Sequence, residues 1–167
     1  MLIPRTPVSV PSADVMAYWI KKGFDAYGSV PFHGADDAPN SWKALIAWAS
    51  THKLGKDSLP VFNGGCDATI YGDAETNMIF RAWHDCIHIR ENLGFSQADE
   101  LKVADHHCNV LKWVGAPYAV VKAVEADVKG QVLYYFKHNT FVNDQAAFVV
   151  DCLKNGIDRT IESGKIY

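Results

Sequence analysis

The run FRAWHDCIHIRENLGFSQADELKVADHH, Phe80 to His107, decides how the chain is read. It holds four of the seven histidines, together with Asp85, Glu91, Glu100 and Asp105. His84 and His88 are four residues apart, so on a helix they project from one side, because four residues advance the helical angle by only about 40°. That spacing lets two imidazoles share one metal ion. Asp85, directly after the first histidine, adds a carboxylate on the flank.

From Glu75 to about Asn92 the periodicity predicts a helix with two unlike sides. Ile79, Phe80, Trp83, Cys86 and Ile87 form an apolar side; Asn77, Arg81, His84, Asp85, His88 and Glu91 form the other. An outer helix usually fills its second side with Lys and Glu. Histidines and an Asp suit the wall of a cleft instead. Ser96 with Asp99 predicts the start of the next helix and Gly115 its end. On it Glu100 and His107, seven residues apart, fall in an apolar stripe with Val103, Ala104 and Leu111. The helix expected from Pro117 to about Asn139 repeats the pattern: Lys122, Lys129 and Lys137 mark its water side, and Val120, Val124, Asp127, Gln131, Tyr135 and His138 lie opposite.

Outward from this centre, Ser12 predicts the cap of a helix over Ala13 to Tyr27, and Asn40 the cap of one that Gly55 ends. Residues 59–73 read as a β-hairpin about Asn63-Gly64-Gly65. Asn143 and Asn155-Gly156 bracket a last helix, followed by a short turn. The expectation is a mainly α single-domain helical bundle, residues 1–167, of about six helices with one small β-hairpin.

The 167 residues suffice for one core without staples. A composition 49% hydrophobic and 21% charged is that of a folded chain, not a disordered one. The net charge of -3 argues against a surface for duplex nucleic acid. Cys66, Cys86, Cys108 and Cys152 show no Cys-x-x-Cys spacing and read as reduced thiols of a cytoplasmic protein. Prolines interrupt the N-terminal apolar stretch, no run approaches a membrane span, and homo-oligomerisation is left open.

Burying an unpaired carboxylate costs several kcal/mol, so such groups pair, neutralise or bind a cation. The expected ligands of a divalent transition metal (Zn, Mn, Fe or Co) are His84, His88, Glu100 and Asp127. Arg81, Asp85 and His107 are the expected catalytic groups, with Gln131 and His138 as substrate contacts. His33, His52 and His106 are expected on the surface or in loops. A metal-free polar network remains the structural alternative.

The segment AWHDCIHI, Ala82 to Ile89, resembles the central motif of the HD-domain metal phosphohydrolases. That resemblance implies an earlier helical histidine, His52, and a later helical Asp, Asp127 or less well Asp144, as further ligands beside the His84-Asp85 pair. It also implies a nucleotide or related phosphate ester as substrate. RAWHDCIH, GFSQADE, EADVKGQVLYYFKH and DQAAF are similar to a family of uncharacterised tailed-bacteriophage proteins, which implies action in the host cytoplasm. The leading expectation is a metal-dependent hydrolase. Two alternatives stand beside it: a ferritin-like di-iron oxidase, which wants Glu-x-x-His on two helices, and a non-enzymatic protein that binds a host or defence factor.

Overall fold

A computed structural model describes residues 8–167, and the elements follow in the order α1 (Ala13–Tyr27), β1 (Phe32–Ala35), α2 (Trp42–Thr51), β2 (Leu59–Phe62), α3 (Ala74–Glu91), α4 (Gln97–Trp113), α5 (Tyr118–His138), α6 (Gln145–Asn155) and α7 (Ile157–Glu162). The architecture is mainly helical, with a small two-stranded sheet. Among the described residues no helix is long and apolar enough to cross a membrane.

The helix starts follow capping chemistry. Ser12, Asp73 and Ser96 each accept the backbone N–H three residues on, from Val15, Thr76 and Asp99. Two expected caps are displaced by one residue. Ser41 rather than Asn40 caps α2, and Asp144 rather than Asn143 caps α6, because those side chains accept from Ala44 and Ala147. Helix α2 also stops before Gly55. Its last turn closes on itself through the Thr51 hydroxyl, which donates to the carbonyls of Ala47 and Trp48. The expected C-terminal turn is the short helix α7, and it raises the helix count among the described residues to seven.

The expected hairpin is not formed. β2 pairs instead with β1, in parallel, with Phe32 opposite Leu59 and Ala35 opposite Phe62. Parallel neighbours need a crossover, and α2 supplies it. The glycine-rich run after β2 serves another purpose. The carbonyls of Phe62, Gly64 and Gly65 turn inward and accept hydrogen bonds from the Arg81 guanidinium, the first two at 2.6 Å. Ile70 and Tyr71, expected in a second strand, are buried in the turns that follow.

α3 packs against α1, α2, α4 and β2. Its Trp83 is fully buried, and it is seated against α1 at Gly23, where an added Cβ would stand 2.5 Å from the indole Cη2. Gly130 gives the same close approach between α5 and Phe148 of α6. α4 packs against α5, α1 and α3, so the sides of α3, α4 and α5 that carry polar residues face one another across a gap. Cys86, Cys108 and Cys152 are buried free thiols and Cys66 is partly exposed.

Candidate metal centre

The helical spacing of His84 and His88 brings their Nε2 atoms to 3.1 Å. Glu100, one turn into α4, sets its Oε2 3.3 Å from the first and 3.5 Å from the second. His84, His88 and Glu100 form a group whose ligand atoms could hold a metal ion. Donors held at about 2.0–2.1 Å by one tetrahedral ion stand roughly 3.3–3.4 Å apart. The triangle has the size that such an ion requires.

Proton bookkeeping gives the same answer. The Nδ1–H of His88 donates to the carbonyl of Leu93 at 2.8 Å, since a carbonyl only accepts. That proton on Nδ1 leaves Nε2, in the uncharged ring, to present a lone pair toward His84 and Glu100. This contact depends on the end of α3, where Asn92 adopts a left-handed conformation (φ 51°) and folds Leu93 back under His88. A single proton among the three atoms satisfies one contact at a time; a cation satisfies all three. Backbone and imidazole partners of this kind fix the tautomer of metal-binding histidines.

Behind His84, the Nε2 of His107 lies 3.2 Å from His84 Nδ1. His107 is fully buried between Phe80 and Trp83. Burial, and then the nearby charges of His84 and His88, hold it well below the ordinary histidine range. It is a neutral partner that orients His84, and its own Nδ1 has no hydrogen-bond partner among the described residues. His107, expected among the catalytic groups, lies behind His84 and does not line the cleft. Replacing it by Phe, which keeps the ring volume, should weaken metal binding by about 10–100-fold, as loss of an orienting partner does. Titration with a chromophoric chelator measures this.

The three donors open into a cavity of about 520 Å³ whose wall also includes Arg81, Asp85, Asp127 and Gln131. Asp85 makes no hydrogen bond or ion pair among the described residues, and burial pushes its carboxyl up to about 6. Burial also opposes ionisation of Glu100, but the hydrogen bonds and charges of His84 and His88 prevail and bring it down to about 2. For His84, burial works against protonation, while Glu100 raises its pKa above the ordinary value.

Asp127 is not among the converging ligands, contrary to expectation. Tyr71 Oη donates to its Oδ2 at 2.7 Å and Gln131 Nε2 to its Oδ1 at 2.6 Å, so neutral donors do what a cation was expected to do. Burial lifts the Asp127 carboxyl from 3.8 to about 6, against those two hydrogen bonds. The folded chain thus binds the extra proton over that interval, and the residue's contribution to stability falls as pH rises through it. Metal-stripped wild type should gain up to about 3 kcal/mol relative to Asp127→Asn between pH 7 and pH 4. Paired urea titrations at the two pH values measure the difference.

His138 is exposed and bonds the Ile161 carbonyl, outside the cleft, so its expected substrate contact is also corrected. His33 lies exposed on β1 against Ser58, and His106 is only partly buried. The ring of His52 stacks on Trp48 at the exposed end of α2. The ligand set implied by the HD-domain resemblance, with His52 and Asp127 joining His84 and Asp85, is therefore not assembled here.

The sequence reading did not assign Tyr71 or the Leu93 carbonyl. Tyr71 carried no local signal, because only packing brings residue 71 to residue 127. Asn77 was legible as a member of the polar side of α3. No protein-family model matches this chain, and no curated protein and no solved structure matches it either.

Proposed function

We propose that the protein is a metal-dependent hydrolase of a small molecule, with a divalent transition metal held by His84, His88 and Glu100. The observation that carries this reading is the triangle of three lone-pair atoms, 3.1 to 3.5 Å on a side, open to a cavity. Two imidazoles and one carboxylate leave coordination positions free, as catalytic sites do. The bound ion would supply Lewis acidity and lower the pKa of water toward neutrality.

The chain's own groups divide the remaining work. Asp85 follows His84 directly, lines the same cavity and has no protein partner among the described residues, which suits it to take a proton from the attacking water. The Leu93 carbonyl holds His88 in the tautomer that keeps Nε2 free, and His107, by accepting from His84 Nδ1–H, would do the same for His84. Arg81 closes one wall by tying the loop after β2 to α3. With a single carboxylate in the group, the donor set is that of a mononuclear centre, which supports hydrolysis over the ferritin-like di-iron alternative.

The test separates metal from chemistry. A panel of nitrophenyl esters and nitroanilides is assayed with the zinc-, manganese- and iron-loaded protein, and metal content is measured in parallel. Asp85→Asn should retain the metal and lose about 10²–10⁴ in kcat, the usual worth of a general base. Hydrolysis that persists in metal-stripped protein, or full activity in Asp85→Asn, overturns the proposal.

A further inference from the structure

We infer that the cleft takes a ring-bearing ligand that presents N–H donors and no anionic group, an amidine, cyclic amide or amino-substituted heterocycle, anchored by Asp127. For its reaction this rests on the hydrolase reading above, but its test does not. It replaces the phosphate ester that the sequence suggested.

The first argument is charge. Three carboxylates line the cavity, those of Asp85, Glu100 and Asp127, against one guanidinium, that of Arg81. That guanidinium already donates to the carbonyl of Phe62, the last residue of β2, and to those of Gly64 and Gly65 in the loop after it. Without a metal, a phosphate dianion would therefore enter a wall of excess carboxylate charge with its natural clamp engaged elsewhere; a bound divalent ion would offset two of those charges.

The second argument is the direction of the free hydrogen-bonding groups. Gln131 spends one of its two amide N–H groups on Asp127, which leaves one N–H and the carbonyl oxygen over. Asn77 donates one amide N–H to Cys66 Sγ, which leaves the same pair. Tyr71 spends its hydroxyl on Asp127. Each Asp127 oxygen has taken one hydrogen bond and, as a carboxylate oxygen, retains capacity for another. Asp85 has no partner among the described residues. The wall thus offers more acceptors than donors, the carboxylates of Asp85 and Asp127 and two amide carbonyls against two amide N–H groups, and acceptors are satisfied by N–H donors.

The third argument is the rim. Phe62, Phe136 and Phe141 are 52%, 44% and 71% exposed, and all three line this one cavity. Exposed aromatics gathered at the mouth of a cleft mark a binding surface for a ring. The volume, about 520 Å³, lies in the range of small-molecule sites.

Two probes of similar size and opposite charge decide the matter, benzamidine and phenylphosphonate, titrated by calorimetry into metal-loaded and metal-stripped protein. Benzamidine should bind the metal-stripped protein at least tenfold tighter than phenylphosphonate does, and Asp127→Asn should weaken benzamidine by at least tenfold. Phenylphosphonate binding the metal-stripped protein as tightly as benzamidine, no saturable benzamidine binding, or benzamidine affinity unchanged in Asp127→Asn would each overturn the inference. The wild-type comparison stands even where the variant fails to fold. Benzamidine binding by a protein that takes up no metal leaves this inference standing and removes the hydrolase reading; metal-dependent hydrolysis with tight phenylphosphonate binding to the metal-stripped protein does the reverse.

Discussion

His84→Ala should leave the purified protein without stoichiometric metal and without turnover, while the fold persists. His84 is the hinge of the donor group: its Nε2 faces both His88 and Glu100, and its Nδ1 faces His107. The substitution removes one of three candidate ligands and strands His107, whose only polar partner among the described residues it is. His84 is only partly buried, so little apolar packing is lost with it. Elemental analysis of wild type, His84→Ala and Glu100→Gln should show metal in the first alone. His52→Ala is the control and should keep its metal, because its ring stacks on Trp48 at the surface. Metal retained in His84→Ala would reject the centre; metal lost in His52→Ala would restore the HD-type ligand set.

Trp83→Ala should destabilise the protein by about 3–5 kcal/mol, as large-to-small changes of a fully buried aromatic do. Trp83 is wedged against Gly23 of α1 and meets the rings of Phe80 and His107. Neighbours fixed on three helices can collapse into the vacated space only in part. The change also takes away the floor on which His107 rests, so metal affinity should fall with stability. Trp83→Phe should cost much less, because the indole N–H has no partner to lose. Urea titrations of the three proteins measure this, and a loss below 1 kcal/mol in Trp83→Ala would contradict the packing described.

Where periodicity was strong, the helices were legible from the residues. α1 runs over the expected Ala13–Tyr27 behind its serine cap, and α3, α4 and α5 follow the expected alternation of apolar and polar sides. The short elements were less legible. Residues 59–73 have the composition of a hairpin, yet β2 pairs with a strand more than twenty residues earlier, and no local pattern records a partner that distant. The same limit governs the site. His84 and His88 come together by helix geometry alone, so their pairing was readable. Glu100 required only that α4 fold back beside α3.

The sequence by itself determined the helical periods, the capped starts and the placing of imidazoles and carboxylates on inward sides, because these depend on residues within a turn or two of each other. Only the tertiary structure decided how those polar groups are shared out. It turned Asp127 toward Tyr71 and Gln131, put His107 behind His84, left His138 outside the cleft, and gathered His84, His88 and Glu100 on one point. Several buried polar residues can satisfy one another in many pairings. Which pairing forms is set by the distances at which whole helices pack, and no single segment carries that information.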